Sequence, residues 1–356
     1  MEEHNEITTM LALIPQPAFL VEAGKICHVN PAAAGCLLQV GQEISPLILC
    51  GAEEYEEFTG GCLYLTLSLA NQPVGASVVK LDGRDIFTLD QTADLPQLQA
   101  LSLAAMELRK PLSGILSLAD QLLPAIAQEN QQMQEQTAQM NRRLYQLLRI
   151  VSNMSDASMY AAAQPTLTEH VEICSFAEEI LKKAGLWIAQ IGIRLEYDLP
   201  REPIFLLAHS EKLERAIYNM LSNACKHAPK DSVIQVKLTQ KNKRVYFSVS
   251  NQHTGTALPG DLFSRFLRLP GLEGGQNGIG LGMLLVRETA KLHDGVILAD
   301  QTETVTRITM TLKVQQSQSS QLRSPRIRID YAGERDHCLQ ELADILPAHL
   351  YAPDIL

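Results

Sequence analysis

Between residues 93 and 162 apolar side chains recur in steps of three and four, through Leu98, Leu101, Ala105, Leu108, Leu112, Ile115, Ala119 and Leu122. That spacing keeps one stripe of a helix apolar over several heptads and predicts an a/d seam. After the polar connection AQENQQ, a weaker repeat through Met133, Met140, Leu144, Leu147, Val151 and Met154 predicts a second helix. Two such helices form a hairpin that cannot bury its seam alone. Pairing with a second copy into a four-helix bundle is therefore expected, with packing on the chain's own domains as the competing arrangement.

On the amino-terminal side, residues 1–92 alternate short β-prone runs with turn signals. AFLVE and KICHVN are separated by Ala23-Gly24, and CLYLTLSL, PVGASVVKL and DIFTLDQ follow, with Asp82-Gly83 suited to a tight hairpin. NPAAAGCLL predicts a capped helix start, with Asn30 as cap and Pro31 in the first position. This stretch resembles a PAS sensor domain, which implies helices and a five-stranded sheet serving a ligand or a dimer contact. Cys27 and His28 sit in a β-prone run, where packing or surface roles are the ordinary expectation.

From 163 to 315 the pattern becomes α/β. Helical stretches are EICSFAEEILKKAGLWIAQIG, SEKLERAIYNMLSNACKHA and MLLVRETAKLH; β-prone ones are IRLEYDL, VIQVKLTQ, RVYFSVSNQ, GVILAD and RITMTLKV. QQSQSSQ has linker composition, and residues 316–356 add one β-prone run, RIRIDY, and one helical stretch, DHCLQELADIL, without an assignable motif.

Composition narrows the class. In 356 residues, 46% are hydrophobic and 20% charged, enough for two or three globular domains. The net charge, 30 − 40 = −10, disfavours broad binding to nucleic acid, so no nucleic-acid partner is expected. Arg323, Arg326 and Arg328 form either a local basic patch or a solvated strand edge. Seven cysteines, odd in number and never spaced as CxxC, read as free thiols rather than a zinc site or a disulfide framework. No apolar run approaches the roughly 18 residues of a membrane helix, and MEEHNEITTM is unlike a secretory signal. The expected location is cytoplasmic, with no transmembrane segment.

Two segments carry chemistry. In NMLSNACKHAP, Asn219 and Asn223 lie one helical turn apart with Lys226 following near the same face. Amide oxygens beside a lysine can hold a hydrated Mg2+ and a triphosphate together. In NGIGLGMLLVRETAKLHDG, Gly278, Gly280 and Gly282 allow close approach of backbone to phosphate, and the following helix offers unpaired N–H groups to an anion. Singly, each signal is weak; in this order, with a β-hairpin between them, they are far more specific.

Together they resemble the ATP-binding domain of sensor histidine kinases, within the GHKL group shared with gyrase, MutL and heat-shock chaperone ATPases. YNMLSNACKHAP is similar to the N box, NGIGLG to the second glycine box, and FSRFLRLP to the phenylalanine box through Phe263 and Phe266. The resemblance implies an α+β multidomain protein: a PAS-like sensor region (1–92), a dimerising helical hairpin (93–162), a GHKL-type α/β sandwich (163–315) and an extension of unknown role (316–356). It further implies ATP and Mg2+ as cofactors, with Asn223 on the metal, Asn219 lining the pocket, Lys226 on phosphate and His227 stacked on adenine. Leu281 falls within the glycine box, and residues 269–277 would form a mobile lid. NQHTG departs from the first glycine box, with Asn251 in place of the aspartate, His253 in place of a glycine and Gly255 retained. An uncharged acceptor implies weakened adenine binding. The chaperone and MutL-type relatives place a water-activating glutamate near the Asn219 position; an asparagine there implies little ATP hydrolysis to bulk water.

AAMELRKPLSGI, residues 104–115, resembles the phosphoacceptor box of the same family, with Glu107, Leu108, Arg109, Pro111 and Leu112 matching and Met106 at the histidine. The seam spacing puts Met106 outside the bundle interior, the adjacent carboxylate of Glu107 would have oriented an imidazole, and Pro111 is expected to kink the helix. A thioether has no proton to give up and forms no comparable phosphoramidate. Lys110 stands where a Thr or Asn would position water for dephosphorylating a response regulator. Met106 therefore either fills a surface gap or favours a protein contact. Three functions are compatible: a pseudokinase that dimerises, binds ATP and contacts a response regulator or an active histidine kinase; a kinase acting on a partner in trans; and a structural dimerisation module with a vestigial pocket.

Overall fold

The computed structural model describes residues 11–253, 281–314 and 335–355, apart from 82, 91–93, 129, 163–166 and 168. The front portion is a sheet of β1 (Ala18–Glu22), β2 (Lys25–Val29), β3 (Ile48–Cys50), β4 (Cys62–Leu69), β5 (Gln72–Leu81) and β6 (Arg84–Leu89), with a short helix α1 (Ala52–Glu57). Five of these strands run β2-β1-β6-β5-β4, all antiparallel, and β3 pairs with β4. Strand β4 is buried on both faces: Leu63, Leu65, Leu67 and Leu69 enter the front core, and Cys62, Tyr64 and Thr66, which alternate with them, are buried as well. Asn30 caps as expected, but the segment it starts, Pro31–Cys36, is a 3-10 helix. The same amide is a buried hub: its oxygen accepts from Ala18 N–H and Ala33 N–H, and its nitrogen donates to the carbonyls of Leu11, Ile14 and Gln16.

Helices α2 (Asp94–Ala127) and α3 (Gln131–Ala162) pack side by side as a hairpin. Helix α2 continues through Pro111 and Pro124 without a break. Pro111 and Glu107 are both exposed, so water can satisfy the Glu107 carbonyl that the proline leaves without an N–H. The predicted seam splits into two. Of its residues Ala105, Leu112 and Ala119 face α3 and, together with Leu116 and Leu123, which the seam did not include, are buried with Leu144, Leu148, Val151 and Met154. Leu108, Ile115 and Leu122 form a second stripe, 47%, 47% and 57% exposed, joined on α3 by Met140 and Leu147. The sequence cannot separate these faces because 3.6-residue geometry places two apolar lines side by side on one helix.

The third portion is a sheet β12 (Ile297–Gln301), β13 (Val305–Lys313), β11 (Arg244–Gln252), β10 (Val233–Lys241) and β8 (Arg194–Asp198), antiparallel except for β10 with β8. Helices α4 (Ile173–Ile188), α5 (Ser210–His227) and α6 (Leu281–Leu292) cover one face, and β7 (Glu169–Glu172) pairs with β9 (Phe205–Ala208) beside them. Glu172 caps α4 through its carboxylate, which accepts from Cys174 N–H and Ser175 N–H. Among the described residues no helix is long and apolar enough to cross a membrane, and all seven cysteines are free.

The two sheets are one. Strand β12 pairs with β4 through Ile297↔Tyr64, Leu298↔Leu63 and Ala299↔Cys62, making a sheet of eleven strands among the described residues. Val296 joins the front core, and Tyr64 joins the rear one. Buried Glu54 on α1 pairs with Arg244 at 2.9 Å and accepts from Thr311 at 3.0 Å. The sequence carries no signal for this pairing, since an edge strand looks alike whatever covers it. The carboxy-terminal helix α7 (His337–Glu341), capped by Asp336, is shorter than the sequence suggests and packs against α3, α4 and α5. The run RIRIDY, with Arg323, Arg326 and Arg328, and the linker QQSQSSQ lie outside the described residues.

Candidate functional site

Helix α5 orders the site. Glu211 in its first turn and Lys226 and His227 in its last complement the helix dipole, and its apolar side packs into the rear core. The remaining face carries Asn219, which is 2% exposed, half-buried Asn223 and half-buried Lys226 at i, i+4 and i+7. Gly282, in the first turn of α6, lies against Asn219, and a Cβ there would overlap the amide oxygen. The N box and the second glycine box are thus in direct contact across the fold. Leu281 shares a buried cluster with Ala105, Leu112 and Leu148 of the hairpin, and α6 packs against α3.

Met106 itself is 60% exposed, and Glu107 and Lys110 are exposed beside it. Asn251, the penultimate residue of β11, is buried, with its amide nitrogen donating to the Gln252 carbonyl at 2.8 Å. His253 follows, its N–H donating to Thr304 O at 3.0 Å and its Nε2 lying 3.1 Å from Thr302 O. His227 is exposed at the end of α5. Gly255, Gly278 and Gly280, Phe263 and Phe266, and the lid at 269–277 lie outside the described residues.

A buried polar network, absent from the sequence reading, surrounds Asn219. Its oxygen accepts from Arg149 Nη2 at 3.0 Å, and its nitrogen donates to Glu341 Oε2 at 3.1 Å and to the Arg215 carbonyl at 2.8 Å. Arg149, from the hairpin, also donates through Nε to Glu341 at 3.1 Å and meets Asp344 at 2.5 Å. Arg215 donates to Glu341 at 2.9 Å and to Asn153 Oδ1 at 2.6 Å, and pairs with Asp156. Lys226 Nζ pairs with Asp344 at 2.9 Å. Burial, and then Arg149, push the Lys226 ammonium below its usual pKa against the pull of Asp344. Burial pushes the Asp344 carboxyl up, but Arg149 and Lys226 overcome it and hold that carboxyl below its ordinary value. The sequence signal was slight: Arg149 and Asn153 are polar residues flanking apolar seam positions, and Glu341 and Asp344 are spaced i, i+3.

Two amides, an ammonium and two guanidiniums at one helix face suit a polyanion, and hard amide oxygens suit Mg2+. This donor set fits a nucleoside triphosphate; Asn219, Asn223 and Lys226 would hold its phosphate end, and the bound metal would neutralise phosphate charge. Among the described residues no group of three or more His, Cys, Asp or Glu is placed to hold a metal by itself.

Residues 208–316 match the family described as histidine kinase-, DNA gyrase B- and HSP90-like ATPase. The adaptive-response sensory kinase SasA of Gloeothece citriformis is 29% identical over 215 residues, covering 57% of this chain and 54% of that one. The sensor histidine kinase MtrB of Mycolicibacterium paratuberculosis is 27% identical over 217 residues, covering 60% and 38%. The chain thus spans about half the length of the first relative and less of the second. A crystal structure of full-length ShkA in complex with AMPPNP aligns at 18% identity and a TM-score of 0.48, over 62% of this chain and 47% of that one.

Proposed function

The chain belongs to the histidine kinase family through its GHKL-type ATPase domain, and from that premise we propose that it is a nucleotide-binding signalling protein that does not phosphorylate itself. One observation carries the reading: the residue at the acceptor position, Met106, stands exposed on α2 beside Ala105, which shares a buried cluster with Leu281 of the glycine box. That shared cluster supports a reading in which the helix at the acceptor position serves the ATP-binding portion yet presents a thioether. Lys110, one turn on, is a poor positioner of water, so removal of phosphate from a regulator is not expected either.

In this reading residues 1–92 are a PAS-like sensor, 93–162 the dimerising hairpin and 163–315 the ATP-binding domain that holds Mg2+-ATP. The exposed stripe Leu108, Ile115 and Leu122 supports pairing of two hairpins into a four-helix bundle. The partner would be a response regulator or an active histidine kinase, and seven free thiols suit a reducing cytoplasm. Incubating the purified chain with Mg2+ and γ-labelled ATP, alone and with candidate partners, tests this. Nucleotide binding that is lost in Asn223→Ala, with no label on the chain, is the expected result. Acid-labile label on helix α2 would sink the reading, and label on a partner would replace it by kinase action in trans.

A further inference from the structure

The segment Arg335–Ile355 is docked on the face of α5 that carries Asn219 and Lys226. Cys338, Leu339, Leu342, Leu346 and Tyr351 are buried in the rear core. Tyr351 meets Tyr145 of α3 edge-on at 5.2 Å, and Asn141, Arg142 and Gln146 of α3 donate to the carbonyls of Tyr351, Ala343 and Asp344 at 3.1–3.2 Å. This docking delivers two carboxylates to fixed positions. Glu341, 1% exposed, accepts from Asn219, Arg149 and Arg215, while Asp344 takes Lys226 and a second nitrogen of Arg149. These are the same donors that a triphosphate would seek.

We propose that the segment Asp336–Ala352 is an internal occupant of the phosphate end of the nucleotide site, so that it and a nucleoside triphosphate exclude one another. This inference rests on the reading of Asn219, Asn223 and Lys226 as that site. Both N–H groups of Asn219 are already engaged, by Glu341 and the Arg215 carbonyl, and a triphosphate brought to Lys226 beside Asp344 would set like charges against one another in a half-buried site. A phosphate reaching Lys226 must displace Asp344, and one reaching Asn219 must displace Glu341. Asp344, 27% exposed, is the weaker hold. Because Arg149 belongs to the hairpin, the same two carboxylates also fasten the ATP-binding portion to α3. Displacing them therefore releases that attachment as well as opening the pocket.

The test is calorimetric titration of Mg2+-ATP into the full chain, into Asp344→Asn and into Glu341→Gln. Asp344→Asn is expected to bind about tenfold more tightly than the unaltered chain. Nucleotide bound to that variant is expected to accelerate amide hydrogen exchange across Leu339–Leu346. Equal or weaker affinity in the variants overturns the inference while leaving the nucleotide site standing. Tighter binding with unchanged exchange at Leu339–Leu346 also overturns it. Absence of binding in all three chains up to millimolar nucleotide overturns the inference and the nucleotide reading together. Glu341→Gln removes charge from between two buried guanidiniums; should it fail to fold, Asp344→Asn carries the test alone.

Discussion

The guanidinium of Arg287 lies over the ring of Tyr64, 4.5 Å from its centroid, joining helix α6 of the rear portion to strand β4 of the front one. Tyr64 in turn donates its hydroxyl to Asp90, which Arg287 also approaches at 3.6 Å, and Glu288 completes the group at 3.0 Å. Arg287→Ala is expected to cost about 3 kcal/mol by leaving carboxylates without their cation. Arg287→Lys should recover only part of it, since an ammonium lacks the planar stacking surface. Urea unfolding measures both; a loss below about 0.5 kcal/mol for the alanine variant would place Arg287 among ordinary surface positions.

Gly51 sits at the same seam with a φ of +99°, and a Cβ there would come 2.6 Å from Val296 Cγ1. Gly51→Ala therefore combines backbone strain with overpacking and should destabilise the chain by about 1–3 kcal/mol. Hydrogen exchange should locate the loss at Cys62–Tyr64 and Ile297–Ala299. Faster exchange confined to the helical hairpin would contradict the assignment.

His293 is 2% exposed, with Nδ1 donating to Thr289 O at 2.7 Å and Nε2 accepting from His209 N–H at 3.2 Å. Both nitrogens are satisfied in the neutral form, and burial pushes its pKa down to about 4. Because the folded value lies below the unfolded one, the stabilisation is complete above about pH 6.5 and falls as pH drops toward 4. The loss should reach about 3 kcal/mol across that window, and His293→Gln should flatten the pH dependence of the melting temperature. A slope that survives the substitution would point to another group.

If the exposed stripe of α2 is the surface on which two copies meet, Ile115→Asp should shift sedimentation toward the monomer while circular dichroism stays unchanged, because Ile115 is 47% exposed in the single chain. An unaltered association constant would remove the stripe from the interface.

Gly282→Ala places a methyl group against the Asn219 amide oxygen. Nucleotide affinity should fall about tenfold, the equivalent of roughly 1.4 kcal/mol. Titration of Mg2+-ATP against this variant checks it; unchanged affinity would mean that the contact between the two boxes is not part of the pocket.

Much of the local structure was legible in the residues. Alternation in VIQVKLTQ and RVYFSVSNQ marked β10 and β11, and the cap at Asn30 was readable from Asn-Pro alone. Asn219 and Asn223 were readable as sharing one face, with Lys226 near it, because helical spacing is fixed. What escaped is long-range. The β4–β12 pairing, the two short strands β7 and β9, and the Arg149–Glu341–Arg215 group join residues far apart in the chain, and no local period encodes them. The role of the last residues escaped for the same reason: QELAD reads as any amphipathic turn until Arg149 and Lys226 are seen opposite Glu341 and Asp344.

The three-rung ladder between β4 and β12 has a consequence for anyone building chimaeras from this chain. Cutting near residue 93 and grafting a foreign receptor module would strip a neighbour from β12 and bare the Val296 side chain to water. The recipient would inherit a sticky open margin rather than a clean modular joint. A successful fusion would have to bring its own strand to cap that margin.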